Sequence, residues 1–222
     1  MVLAIFLLAS IAFIIADMIS QRAQIRGGRL GLELRDDSSN LRRSLLPPAD
    51  LMFYKGHSWA KVGSTGSCKI GIDGLVGQLI GRVDAIRLPA IGSRVTAGET
   101  IARIEQGGNI LSIKSPVDGE IVAVNSGLQP KSLSSNPYDG GWLCEILPNS
   151  LEANTCQLVT GKDMEQWHRQ ELQRIADFTA GLPSMGGRII YDSHTGTPVL
   201  NAVMEKAGSS DWQRFQQSFL EG

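Results

Sequence analysis

Between Met52 and Pro148, short apolar runs are broken by glycine- and proline-bearing turns at about ten-residue intervals, the rhythm of a small all-β sandwich or barrel. The runs read CKIGI, QLIGRVDAIRL, RVTAGETIARIE, ILSIKSP, GEIVAVN and GWLCEIL. Within them IARIE and EIVAVN alternate apolar and polar residues, the period of a strand with one buried face. TAGE and VDGE carry the glycines that a tight reversal needs at positive φ. The expected class is therefore mainly β. Three further segments surround this block, giving a division into residues 1–21, 22–51, 52–150 and 151–222.

The first segment is an apolar run, Val2 to Ala16, interrupted by Asp17 and continued by Met18 and Ile19. As a helix through Ile19 it would be about 27 Å long at 1.5 Å per residue. That is slightly short of a bilayer core of roughly 30 Å. No Lys or Arg precedes the run and no small-residue cleavage site follows it, so an uncleaved transmembrane anchor is expected rather than a signal peptide. Arg22, Arg26 and Arg29 follow closely, which by the positive-inside rule places the N-terminus outside and the bulk of the chain on the cytoplasmic side of an inner membrane. Residues 22–51 are polar, with GG, DDSSN and a terminal PP, and read as a linker with a short amphipathic helix between Leu30 and Leu41 as an alternative to a plain tether.

After Leu151 the texture becomes helical. Asp163 to Ala180 is an expected helix, with Met164, Trp167, Leu172, Ile175 and Phe178 near one face, Thr160 as start signal and Gly181 with Pro183 as stop. RIIYD suggests a short strand, and Pro198–Lys206 and Asp211–Leu220 two short helices. In the last, Trp212, Phe215 and Phe219 recur at helical spacing and read as core or partner contacts.

The charge balance, 21 Lys+Arg against 22 Asp+Glu without a basic run, gives no support to a nucleic-acid partner. Three cysteines without a CxxC pair argue against a disulfide framework and against a zinc or iron–sulfur site. His57, His168 and His194 are scattered; Asp192, Ser193 and His194 share one loop, where neighbours cannot form the hydrogen-bonded line of a hydrolase triad. The glycines of SMGG do not follow a phosphate-binding pattern. No catalytic residue and no metal site is expected.

Four ordered blocks carry a resemblance: YKGHSW (Tyr54–Trp59), the run from Lys69 to Glu99, SPVDGEIVAVN (Ser115–Asn125) and NPYDGGWL (Asn136–Leu143). Between Phe53 and Pro148 the chain resembles the glycine cleavage H protein, a lipoyl-bearing carrier. The resemblance implies a flattened lipoyl-type β-barrel of two small sheets, here with an N-terminal transmembrane helix and a C-terminal helical extension. It also implies a hairpin whose tip presents a lysine for amide attachment of lipoic acid, the protein positioning its cofactor while partners do the chemistry. The family's Glu-Ser-x-Lys tip lies ten residues before the Ser of Ser-Pro-Val, and Glu105 to Ser115 keeps that spacing. The lysine position then falls on Gly108, within Glu105-Gln106-Gly107-Gly108-Asn109. Lys114, beside the Ser-Pro step, is the one nearby alternative amine.

The expected function is a non-catalytic, non-lipoylated H-protein-like scaffold of a larger membrane complex, with an electron-transfer assembly suggested by analogy. Its expected partners are membrane lipid, through the N-terminal helix, and protein subunits, with Gly107, Gly108, Asn109, Trp167, Trp212, Phe215 and Phe219 as contact residues; no cofactor is expected. The alternative is a lipoyl or acyl carrier of glycine-cleavage type using a different lysine, Lys114 being the nearest. An enzyme in the C-terminal segment lacks a nucleophile–base pair, and a transporter adaptor would want a long insertion at the tip.

Overall fold

The computed structural model describes residues 47–185, Leu200 and residues 202–221. The apolar run to Ile19, the helix expected near Leu30–Leu41, the RIIYD strand and His194 lie outside the described residues.

The expected mainly-β block is present. Strands β1 (Met52–Phe53), β2 (Ser58–Val62), β3 (Cys68–Ile72), β4 (Ala85–Arg87), β5 (Arg94–Val95), β6 (Thr100–Gln106), β7 (Asn109–Lys114), β8 (Gly119–Val124) and β9 (Trp142–Pro148) form two antiparallel sheets. One runs β1-β2-β3-β9-β8-β5 and the other β4-β6-β7. Alternation does what the sequence implied: on β6, Ile104 is buried while Arg103 is exposed. Ala60, Ile70, Ile121 and Ile146 of the larger sheet share a core cluster with Ile101 of β6, so apolar burial between the sheets supplies the main driving force.

Helix α1 (Gly74–Ile80) follows β3 and is buried along its whole length. Asp73 caps it, accepting from Leu75 N at 3.2 Å. Gly77 of α1 touches the short helix α2 (Ser132–Ser135) so closely that a Cβ there would lie 2.0 Å from Leu133 O. After β9 come α3 (Leu151–Thr155) and α4 (Gly161–Ala180).

Helix α4 starts within two residues of expectation, but its buried face differs. Met164 and Ile175 are buried as expected, and they are joined by His168, Glu171, Ala176 and Thr179, while Trp167, Leu172 and Phe178 are half-buried. Two ionisable side chains face inward because partners of complementary charge wait for them. The helix expected at Pro198–Lys206 is, where described, a 3₁₀ turn over Val203–Lys206. Ala202 precedes it in the left-handed region at φ 54°, which a continuous α-helix cannot accommodate. The last helix begins earlier than expected, as α5 (Ser209–Phe215), and continues as a π-helical turn over Gln216–Leu220. Trp212, Phe215 and Phe219 are all buried, so they serve the chain's own packing, with Phe178 ringed by Phe215 and Phe219.

Candidate functional site

The β6–β7 hairpin turns on Gly107 and Gly108, both at positive φ (55° and 82°), between the paired residues Gln106 and Asn109. Two consecutive left-handed residues match the right-handed twist of the strands, and glycine adopts them without a Cβ penalty. Gly107 N donates to Asp84 Oδ2 at 2.7 Å, tying the tip to the entry of β4. Both glycines are exposed, Asn109 is half-buried and Ile110 beside them is 54% exposed. Gln106 is buried, and its Oε1 has no hydrogen-bond partner. The hairpin that the resemblance implies is thus present, with no side-chain amine on its turn.

Lys114 is the last residue of β7. Its Nζ lies 3.4 Å from Thr100 Oγ1 and 3.6 Å from Glu221 Oε2, with the side chain only 17% exposed. An amine held against a strand and paired with a carboxylate is poorly placed to carry a swinging arm. Among the described residues no group of three His, Cys, Asp or Glu side chains is arranged to hold a metal ion. The thiols of Cys68 and Cys144 are buried and pushed up to about 11, by burial and by the Glu145 carboxylate, and to about 12, by burial.

A second constellation lies where the strands meet α4. His57 occupies the tight β1–β2 turn at φ 57°, a conformation that costs a non-glycine residue about 1–2 kcal/mol. Its Nδ1–H donates to Asp73 Oδ2 at 2.9 Å, and its Nε2 lies 3.4 Å from Glu171 Oε2, a charge contact without hydrogen-bond geometry. The Tyr138 hydroxyl donates to Asp73 Oδ1 at 2.8 Å, and Gly74 N donates to that hydroxyl at 3.1 Å. His168 Nε2 stands 3.8 Å from Asp73 Oδ1, too far for a hydrogen bond. Arg174 bridges Glu171 from the outside at 2.6 Å.

Burial pushes the His57 imidazole down, but the Asp73 and Glu171 carboxylates outweigh it and hold its pKa above the usual histidine value. Burial likewise pushes Asp73 up, yet the His168 and His57 imidazoles hold it well below the carboxylate range. Burial also opposes ionisation of Glu171, and contacts with His57 and Arg174 again prevail to lower it. Burial beside Asp73 keeps the Tyr138 phenol protonated, its pKa raised. This cluster joins the β1–β2 turn, the α1 cap, the segment before β9 and α4. Trp167, an expected contact residue, is half-buried over it, its ring 5.3 Å from that of His57 and 5.7 Å from that of Phe53. In the sequence His57 and His168 are scattered histidines, and their shared contact with Asp73 is not legible there because the partners come from four separate segments. The one local signal was Asp73 immediately before Gly74-Leu75-Val76, an N-cap pattern.

The model of the family described as glycine cleavage H-protein matches residues 51–171, more than half of the chain and beyond the Pro148 limit of the resemblance seen in the sequence. The chain is 35% identical to the glycine cleavage system H protein of Saccharophagus degradans over 106 residues, 47% of this chain and 82% of the relative. The protein of the same name from Listeria welshimeri is 36% identical over 121 residues, 54% of this chain and 95% of the relative. That from Mycobacterium bovis is 34% identical over 124 residues, 54% of this chain and 92% of the relative. A crystal structure of a glycine cleavage system H protein from Mycobacterium marinum aligns with a TM-score of 0.49 at 24% identity, covering 56% of this chain and 98% of that one. These relatives overturn the expected placement as a single-pass inner-membrane protein with its N-terminus outside, and among the described residues no helix is long and apolar enough to cross a membrane. With the family match spanning the strands, the hairpin and the buried cluster through Glu171, the chain belongs to the glycine cleavage H-protein family.

Proposed function

We propose that this chain is a non-catalytic docking module of the H-protein family that engages partner proteins without carrying a lipoyl group on its hairpin. The observation that carries this reading is the turn itself: Gly107 and Gly108 close the hairpin, and the position expected for the attachment lysine is Gly108. The surrounding turn is ordinary and exposed, with Ile110 beside it, which suits contact with a partner better than attachment chemistry.

A second reading is a lipoyl or acyl carrier of glycine-cleavage type using Lys114. The names of the relatives speak for it more directly than for the first reading. The contacts of Lys114 with Thr100 and Glu221 speak against it.

Purification of the full chain from its native cells, with intact-mass measurement and identification of co-purifying proteins, separates the two. The first reading expects an unmodified mass with stoichiometric protein partners. A lipoyl-sized or acyl-sized addition mapped to Lys114 would replace it with the second.

A further inference from the structure

The β4-β6-β7 sheet has two edges, and the chain treats them differently. Along β7 the edge is occupied from within. Ser112 N donates to Gln216 Oε1 at 2.8 Å, and Gln216 Nε2 donates to Ser112 O at 3.2 Å, so a side-chain amide stands in for a neighbouring strand. At β4 the opposite edge is open: among the described strands, β4 pairs only with β6. An unpaired edge is a template for an added strand unless something covers it.

Beside β4 lies a cleft of about 290 Å³ bounded by the β4–β5 connection, β5, β6 and β8. Half-buried Leu88 and Pro89 form part of its wall, and Arg87, Arg94 and Arg103 line it. The β4–β6 register sets Arg87 directly opposite Arg103, a cross-strand pairing of like charges that weakens a sheet. Arg87 turns to an ion pair with Glu105, diagonally across the same strands. Among the described residues Arg103 makes no ion pair, and neither does Arg94, although Glu120 is its register partner on β8. Glu99, the acid in the cleft, is engaged by Thr96 N at 3.0 Å. Ile91, on the loop between β4 and β5, is 63% exposed.

Two guanidinium groups outside any ion pair among the described residues, an apolar wall and an open strand edge thus meet in one place. We propose that the β4 edge and this cleft receive an extended acidic segment of a partner protein, its backbone running beside β4 and its carboxylates meeting Arg94 and Arg103. Guanidinium forks suit carboxylates because two parallel N–H donors match the two oxygens. The inference rests on the docking-module reading and gives that module a partner chemistry.

The test uses the full chain and a fluorescein-labelled heptapeptide amide of alternating Glu and Val, titrated by fluorescence anisotropy. The expected result is sub-millimolar binding that weakens with added salt and falls by about tenfold or more in the Arg94→Glu, Arg103→Glu double variant. Circular dichroism of the double variant is expected to be unchanged. Equal binding of the Lys–Val analogue, wild-type affinity in the double variant, or no binding at millimolar peptide would overturn the proposal. So would displacement by inorganic phosphate at concentrations matching the peptide, which would make the cleft a small-anion site. A negative result removes this surface alone, since the docking-module reading stands or falls on the intact mass and the co-purifying proteins.

Discussion

Replacing Asp73 by Asn tests the buried cluster with little change of shape. Asp73 is fully buried and accepts from His57 Nδ1, the Tyr138 hydroxyl and Leu75 N. Asparagine keeps one acceptor oxygen and turns the other into a donor. If the oxygen keeps Tyr138 and Leu75, the new amide N–H₂ faces the His57 Nδ1–H, donor against donor. If it flips, the α1 cap and the tyrosine lose their acceptor. In either case His57 loses the buried carboxylate that holds its pKa up, and breaking a buried pair costs about 3–5 kcal/mol. At 2–4 °C per kcal/mol for a protein of this size, the melting temperature should fall by roughly 6–20 °C.

The pH profile provides a second signature. The folded-state pKa of His57 is raised, so its contribution to stability is fully present below the unfolded histidine value and is lost as pH rises through the folded value. Those of Asp73 and Glu171 are lowered, so their contributions are present above the unfolded carboxylate values and are lost as pH falls through the folded ones. Wild-type stability should therefore peak on the acid side of neutrality, and the alkaline decline should flatten in Asp73→Asn. Urea unfolding across pH 5 to 9, with imidazole NMR titration of His57, reads both effects. A loss under about 1 kcal/mol, the range of an exposed ion pair, or an unchanged alkaline decline, would refute the argument.

Gly77→Ala should destabilise by about 1–3 kcal/mol or more, because its Cβ would meet the Leu133 backbone between two buried helices; chemical denaturation reads it. Gly108→Lys should fold, since nothing lies within 4 Å of a Cβ there, at about 1–2 kcal/mol for the left-handed turn. It should remain unlipoylated because Gln106 and Asn109 also depart from the family tip, and an intact mass after co-expression with a lipoate ligase checks this. Phe215→Ala should cost about 3–5 kcal/mol through the loss of its fully buried ring, measured by thermal unfolding. Gln216→Ala should cost only about 1–3 kcal/mol but should raise amide exchange at Ser112, whose N–H loses its acceptor.

The strands, the hairpin tip and the long helix were legible because each depends on residues close in sequence. Alternation places Ile104 inward and Arg103 outward on β6 whatever the partner strand, and a two-residue turn of glycines closes a hairpin with only its own four residues. The resemblance, through the interval from Glu105 to Ser115, put Gly108 at a hairpin tip, and the β6–β7 turn lies there. Periodicity also found the helix from Gly161 to Ala180 within two residues of its start.

What periodicity could not supply was which polar residue earns a buried position. Local periodicity carries no sign that His168 and Glu171 meet charged partners from distant segments. The fold brings Asp73 and His57 to them from about a hundred residues away, and a buried charge is tolerable only where such a partner is present. The same limit hid the contact of Gln216 with Ser112, 104 residues apart, and the meeting of Arg87 with Arg103 across β4 and β6. Local sequence sets the conformation of each element; strand order and register decide which charges face one another.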